Sequence, residues 1–156
     1  MTTLDSDQKF LRPNDSDARI LIVEGSQNDL RVIYRLLSQS PISLAISTAS
    51  NAAEAMEQID RGQTDKSSSP DLVILDFDLP GSDAPRLLTQ MRRDPRHKAL
   101  PVVVLTRGTD PGAIRRAYDF GANAVISKPE TQEGMGEIVR TIVDFWFKVA
   151  DRYLLD

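Results

Sequence analysis

The sequence contains no cysteine and a single histidine, His97. The absence of cysteine excludes disulfides, thiolate metal sites, iron–sulfur clusters and cysteine nucleophiles, and one histidine leaves little scope for histidine-based catalysis. No apolar run approaches the roughly 18 residues that a membrane-spanning helix needs. The N-terminus also lacks the basic start and apolar centre of a signal peptide. We therefore expect a cytoplasmic protein that does not enter the membrane.

Positive charge is in the minority overall but locally concentrated. The formal net charge is −4, which argues against DNA binding because the phosphate backbone requires clustered positive charge. Between residues 86 and 116, however, eight basic residues stand against two acidic ones. This stretch indicates either a docking face for an acidic partner or a pair of solvated helix surfaces. The eight are Arg86, Arg92, Arg93, Arg96, Lys98, Arg107, Arg115 and Arg116.

A length of 156 residues fits one domain. Residues 1–18 mix Asp, Ser, Thr and Asn without an apolar period, which predicts a flexible leader. The domain itself is expected over 19–150, followed by a short tail at 151–156.

Short β-branched runs alternate five times with amphipathic stretches, a pattern typical of a parallel sheet covered on both faces. Continuously apolar runs at 20–23, 72–75 and 102–105 predict the central strands. The polar stretch 63–70 predicts a surface loop. Strands are predicted at 19–24, 43–48, 71–76, 101–106 and 123–127, and helices at 27–39, 51–61, 83–93, 111–120 and 131–150. Predicted helix ends are a Ser50 cap, a Ser82 or Asp83 cap, an Asp110 cap before Pro111, and a stop at Gly121.

Polar side chains follow four of the predicted strands, at the edge where an open parallel sheet binds its ligands. They are Glu24, Asp76 with Asp78, Thr106 and Lys128. Carboxylates, a hydroxyl and an ammonium are suited to phosphoryl transfer, because a carboxylate can attack phosphorus while an oxygen-bound Mg²⁺, a lysine and a hydroxyl stabilise the phosphoryl oxygens. Asp76 is the candidate nucleophile.

These motifs, in this order, resemble the response-regulator receiver domain of two-component signalling over about residues 18–150. They are Ile20-Leu-Ile-Val-Glu24, Pro70-Asp-Leu-Val-Ile-Leu-Asp76-Phe-Asp-Leu-Pro-Gly81, Pro101-Val-Val-Val-Leu-Thr106, Gly121-Ala-Asn-Ala124 and Lys128-Pro129. The run Arg92–Arg96 and the aromatic segment Phe145–Phe147 are also similar to single-domain regulators that accompany phytochrome-type histidine kinases.

The resemblance implies a doubly wound, flavodoxin-like α/β fold with strand order 2-1-3-4-5. It implies that Asp76 accepts a phosphoryl group from a histidine kinase, so that the chain is a phosphoprotein of signal transduction and not an enzyme. It further implies that Thr106 and Lys128 contact the phosphoryl group, and that Glu24, Asp76 and Asp78 bind Mg²⁺ weakly.

Three residues depart from the family pattern. Gly25 stands where receivers usually carry a second acidic metal ligand, Arg107 replaces a small residue beside Thr106, and Val125 replaces an aromatic residue that normally follows the movement of the threonine. These departures leave two interpretations open, a receiver with altered kinetics and readout or a non-phosphorylated interaction scaffold.

Two other classes of protein share features with this sequence. A haloacid-dehalogenase-type phosphatase fits Asp76-Phe-Asp78, but that chemistry normally starts from the first strand. A flavin binder fits the fold class, yet no phosphate-binding loop follows the first strand. The last predicted helix is apolar on more than one face, around Trp146, which predicts either packing on the sheet or a homodimer through helix four, strand five and helix five.

Overall fold

Strands and helices alternate along residues 18–149, the part of the chain that this computed structural model describes. The strands are β1 (Ala18–Val23), β2 (Leu44–Ala49), β3 (Leu72–Asp76), β4 (Val102–Thr106) and β5 (Ala124–Ser127). The helices are α1 (Gln27–Ser38), α2 (Ala52–Thr64), α3 (Asp83–Arg93), α4 (Pro111–Phe120) and α5 (Gln132–Asp144). A 3₁₀ turn (Lys66–Ser68) follows α2, and a π-helical segment (Phe145–Val149) continues α5. The predicted leader and tail lie outside the described residues, except that Ala18 begins β1.

The five strands form one parallel sheet in the order β2-β1-β3-β4-β5, which confirms the predicted topology. Val23 pairs with Ala49 on one side and with Leu75 on the other, and Leu75 pairs in turn with Val104. This register ends neighbouring strands at nearly the same level, so the residues that follow them share one edge of the sheet.

The core lies on both faces of the sheet because successive side chains of a strand point to opposite sides. Each fully buried aliphatic side chain contributes about 1.5–3 kcal/mol relative to exposure. On one face, buried side chains of the central strands pack against α2, α3 and α4: Leu21, Val23, Val73, Leu75, Val102 and Val104 against Ala55, Ile59, Leu87, Leu88, Met91 and Ala117. On the other face they pack against α1, α5 and the π-helical segment: Ile20, Ile22, Leu72, Ile74, Val103 and Leu105 against Ile33, Leu37, Val139, Ile142, Val143 and Phe147.

Helix ends differ from the prediction in several places. Ser82 precedes α3 but makes no side-chain capping hydrogen bond, and α5 ends at Asp144, where the π-helical segment begins. The cap of α2 is Asn51, whose side chain accepts the Glu54 N–H, while Ser50 bonds the Glu54 carboxylate instead. The stretch 63–70 was predicted as a surface loop, but its first two residues belong to α2 and Lys66–Ser68 form the 3₁₀ turn. The prediction was therefore wrong for these residues. The Asp110 cap and the Gly121 stop are confirmed, the latter with φ of +115°.

Candidate functional site

Four side chains predicted to form the site meet at the carboxyl edge of the sheet. The chain beyond each strand is held by a hydrogen bond to the neighbouring strand: Glu24 N–H to the Ala49 carbonyl (3.0 Å), and Lys128 N–H to the Thr106 carbonyl (2.7 Å). These bonds fix the direction in which each side chain leaves the sheet. The structure thereby brings Glu24, Asp76 and Lys128 into direct contact, with Thr106 on the strand beside Asp76.

The ammonium of Lys128 lies among three carboxylates. Its Nζ is 3.0 Å from Glu24 Oε2, 3.0 Å from Asp29 Oδ2 and 3.4 Å from Asp76 Oδ1. Burial lowers the pKa of Lys128, but the surrounding carboxylates of Asp29, Glu24 and Asp76 raise it more, so the net pKa lies above its ordinary value. Lys128 is therefore a fixed positive charge beside Asp76.

Glu24 and Asp76 form a buried carboxyl pair in which the two groups titrate differently. Burial, reinforced by the hydrogen bond and the charge of Asp76, raises the pKa of Glu24 to about 7. Burial also raises the pKa of Asp76, but hydrogen bonds from the Glu24 side chain and the Asp78 N–H, together with Lys128, lower it below its ordinary value. Asp76, whose pKa is lowered, is therefore the member of the pair that ionises more readily, and the ionised carboxylate is the form that a nucleophile requires.

The side-chain hydroxyl of Thr106 is buried and makes no hydrogen bond within the described part of the chain. Its Oγ1 is the one buried side-chain oxygen or nitrogen between residues 18 and 149 that has no hydrogen-bond partner. A buried polar atom left unpaired costs about 1–3 kcal/mol. The hydroxyl is therefore suited to bonding an oxygen-rich ligand attached to the neighbouring strand end.

Asp78 and Arg107 lie at the rim. The backbone N–H of Asp78 donates to Asp76 Oδ1 (2.9 Å), whereas its side-chain Oδ2 accepts the backbone N–H of Arg107 (2.8 Å). The Arg107 guanidinium reaches Asp29 Oδ2 at 3.3 Å and remains largely exposed. The Asp78 carboxylate thus holds the β4–α4 loop, and its predicted role as a metal ligand stays a prediction.

Asp29 is the site residue that sequence reasoning missed. It lies in the first turn of α1, where an acidic residue is ordinarily explained by the helix dipole. The available signal was its spacing, five residues after Glu24 and three after the capping residue Ser26. Only the fold shows that Asp29 reaches Lys128, 99 residues away in the chain.

The other two departures from the family pattern are Gly25 and Val125. A Cβ added at Gly25 would lie 3.2 Å from Leu79 Cδ2 and 3.7 Å from Pro80 Cδ, so a small shift of one side-chain end admits an aspartate there. Val125 is half-buried and pairs with Val104 in the β4–β5 register. Because it is a valine, β5 has no aromatic ring at this position.

The donor set fits a divalent cation. Four carboxylates, from Glu24, Asp29, Asp76 and Asp78, outnumber the two cations Lys128 and Arg107, and their oxygens are the ligands that Mg²⁺ prefers. The unpaired Thr106 hydroxyl adds to a pocket suited to an anion held by such an ion.

A second acidic group lies elsewhere. Within the described part of the chain, Asp60, Asp94 and His97 have potential ligand atoms within 4.8 Å of one another. Arg96 Nη2 contacts both carboxylates, at 3.6 Å (Asp60) and 2.7 Å (Asp94), and His97 Nε2 lies 2.9 Å from Asp60 Oδ1. This group is an internal ion-pair network that joins the end of α2 to the segment after α3.

The comparisons with known proteins agree with this fold. The model of the response regulator receiver domain family matches residues 20–140, and the chain belongs to that family. It is 28% identical over 132 residues to the response regulator Rcp1 of Synechocystis sp., covering 84% of this chain and 90% of Rcp1. Some relatives are longer proteins that are named as enzymes. A protein-glutamate methylesterase/protein-glutamine glutaminase of Hahella chejuensis is 31% identical over 130 residues, which make up 81% of this chain and 34% of that protein.

Solved structures show the same likeness. The phosphorylated cyanobacterial phytochrome response regulator RcpA is 31% identical, with a TM-score of 0.80 over 88% of this chain and 99% of that one. The Mn²⁺-bound form of Rcp1 is 27% identical, with a TM-score of 0.77 over the same shares. The family match leaves the phosphatase and flavin alternatives without support.

Between residues 18 and 149, no helix is both long and apolar enough to cross a bilayer.

Proposed function

We propose that this chain is a response regulator that accepts a phosphoryl group on Asp76 from the phosphohistidine of a histidine kinase. The observation that carries the proposal is the ionised, buried Asp76 carboxylate beside the Lys128 ammonium, with the unpaired Thr106 hydroxyl on the adjacent strand. An Asp76 oxygen attacks phosphorus. The bond from phosphorus to the imidazole nitrogen breaks, and its electron pair stays with the nitrogen, which takes up a proton.

The chain's own groups then hold the product. Lys128 offers its ammonium to the phosphoryl oxygens, and Thr106 offers its hydroxyl. Glu24, Asp76 and Asp78 would hold a Mg²⁺ ion, which neutralises phosphoryl oxygens when it is bound. In this proposal the chain acts as a phosphoacceptor that signals through protein contacts, not as an enzyme, and it works in the cytoplasm, where it meets its kinase.

A phytochrome-type kinase is the proposed phosphodonor. The support is the likeness to RcpA, which covers nearly all of that chain at 31% identity. Purified phytochrome-type kinase should transfer its phosphoryl group to this chain faster than an unrelated histidine kinase does. Equal rates from both kinases would count against this assignment.

The test of the acceptor role is incubation with acetyl phosphate and Mg²⁺, followed by intact mass measurement. We expect one phosphoryl adduct on the native chain and none on Asp76→Asn. Gly25→Asp, which requires a small shift of the Leu79 side-chain end, should form the adduct at lower Mg²⁺ concentration. An adduct on Gly25→Asp but none on the native chain would show that the missing carboxylate has ended phosphorylation and that the domain is an interaction scaffold.

We also propose a homodimer through α4, β5 and α5. The support is three aromatic side chains that are 38–49% exposed: Tyr118 and Phe120 on α4, and Phe145 directly after α5. Trp146 is half-buried and contacts the Phe145 ring edge-on at 5.1 Å, so burial of Phe145 should change its emission. We expect dilution to shift Trp146 fluorescence in the native chain but not in Phe145→Ser. The control is Tyr34→Ser, since Tyr34 is equally exposed but lies on α1.

A further inference from the structure

Asp29 is held against the site by the way α1 begins. The Glu24 carboxylate accepts the Ser26 N–H (3.2 Å), and the Ser26 hydroxyl accepts the Asp29 N–H (3.2 Å). The residue after β1 and the first turn of α1 are therefore one hydrogen-bonded unit. This unit fixes the Asp29 carboxylate relative to Glu24.

One oxygen of Asp29 serves two cations. Its Oδ2 is 3.0 Å from Lys128 Nζ and 3.3 Å from Arg107 Nη2. Without Asp29, both positive charges would be balanced by Glu24, Asp76 and Asp78 alone. The pocket would then hold three carboxylates against two cations, and its attraction for a further cation would fall.

A helix-capping role alone does not explain Asp29. Glu133 occupies the corresponding first turn of α5, which Thr131 caps in the same way, and its side chain is exposed. The Asp29 side chain is only 23% exposed and turns from its helix to contacts 78 and 99 residues away. A first-turn acid that served the helix dipole alone would remain in solvent, as Glu133 does.

We propose that Asp29 supplies the carboxylate that the site lacks at Gly25, as the third acidic group of a divalent-cation site with Glu24 and Asp76. This inference rests on the proposed function above, because it concerns the same pocket. It assigns to the first turn of α1 a task that the family pattern places directly after β1.

The test is calorimetric titration with Mn²⁺ alone, without any phosphodonor. Asp29→Asn should weaken Mn²⁺ binding by about 10–100-fold, the range typical of removing an acidic group that supports a metal site. Glu133→Gln, the matched loss of a first-turn acid, should leave the affinity unchanged. Gly25→Asp combined with Asp29→Asn should restore most of the native affinity, because the carboxylate returns to the pocket.

Arg107→Ala provides an arm that does not disturb the core, since this side chain is largely exposed. It relieves Asp29 of one cation and should strengthen Mn²⁺ binding. The inference is overturned if the native chain binds no Mn²⁺ at millimolar concentration or if Asp29→Asn binds Mn²⁺ as tightly as the native chain does. It is also overturned if the double variant binds as weakly as Asp29→Asn. A weaker affinity in Arg107→Ala would contradict it too.

Failure of this inference can be distinguished from failure of the proposed function. A native chain that binds Mn²⁺ through Asp29 but forms no adduct with acetyl phosphate contradicts phosphorylation only. A native chain that forms the adduct, with Mn²⁺ affinity indifferent to Asp29→Asn, contradicts the role of Asp29 only.

Discussion

The hydroxyl of Tyr118 accepts a hydrogen bond from the backbone N–H of Val125 at 3.2 Å. Tyr118 lies on α4, while Val125 lies on the edge strand β5, where one row of backbone groups has no neighbouring strand. An aromatic residue is thus present beside the strand-five position where Val125 replaces the usual ring, but the helix supplies it. The ring covers the edge of the strand instead of extending from it.

Tyr118→Phe removes this bond and leaves the ring in place. We expect the free energy of unfolding to fall by about 0.5–1.5 kcal/mol, the net value of an ordinary hydrogen bond. The more specific readout is hydrogen exchange, in which the Val125 amide should exchange faster in the variant. If the protection of Val125 is the same in both proteins, the bond does not persist in solution.

Arg92 is a structural residue despite its place in the basic stretch. Its guanidinium donates to the carbonyls of Gly121 (2.9 Å), Lys98 (3.1 Å) and Leu100 (2.9 Å) and to Asn123 Oδ1 (2.9 Å). Burial lowers the pKa of the guanidinium below its ordinary value.

Arg92→Met leaves several of these acceptors unpaired and should lower the free energy of unfolding by about 2–4 kcal/mol. The neighbouring Arg93 is exposed, and Arg93→Met should change the free energy of unfolding by no more than about 0.5 kcal/mol. Urea unfolding of both variants checks the difference. Equal stabilities would mean that solvent replaces the Arg92 contacts.

Gly62 allows the segment after α2 to pass close to the helix. A Cβ at this position would lie 2.6 Å from Ser69 Cα, a backbone atom that cannot easily move. Gly62→Ala should therefore destabilise the protein by about 1–3 kcal/mol, although alanine is the better helix former. Gly112→Ala is the matched control, because its nearest neighbour would be 3.5 Å away, and thermal unfolding should show it neutral or stabilising.

Glu24 should make stability depend on pH. Its pKa is about 7 in the folded chain and about 4.5 when unfolded, so the folded state retains a proton that the unfolded state has lost. Stability is therefore highest below pH 4.5 as far as this group is concerned, and it falls as the pH rises to 7, by on the order of 1–3 kcal/mol.

Urea unfolding between pH 5 and 8, with a chelator present, measures this slope. Glu24→Gln cannot titrate, and its stability should decline less over the same interval. Parallel curves for the native chain and Glu24→Gln would assign the slope to another group.

The sequence allowed most of the site to be located, for a physical reason. Asp76, Thr106 and Lys128 each come at the end of an apolar run, and parallel strands end at one edge, so their convergence could be predicted. The strand order came from the family resemblance and is confirmed.

Other contacts could not be predicted because they depend on tertiary distances. Asp29 resembles an ordinary first-turn acid, and Arg92 resembles a solvated helix residue, until the fold brings their distant partners beside them. The predicted Ser50 cap was wrong because serine and asparagine both cap helices well, and the structure shows that Asn51 caps α2. Five of the eight basic residues bond within the chain, so the surface is less basic than the residue count suggests.

The contact between Lys128 and Glu24 spans 104 residues, which has a consequence for folding during synthesis. A chain that has emerged only through β4 carries Glu24, Asp29 and Asp76 at one edge with no ammonium among them, and these carboxylates repel one another. Arrival of β5 relieves that repulsion as it completes the sheet. The final strand is thus drawn to its place by charge as well as by apolar burial, and a nascent chain acquires a complete phosphoacceptor only once its whole sheet has formed.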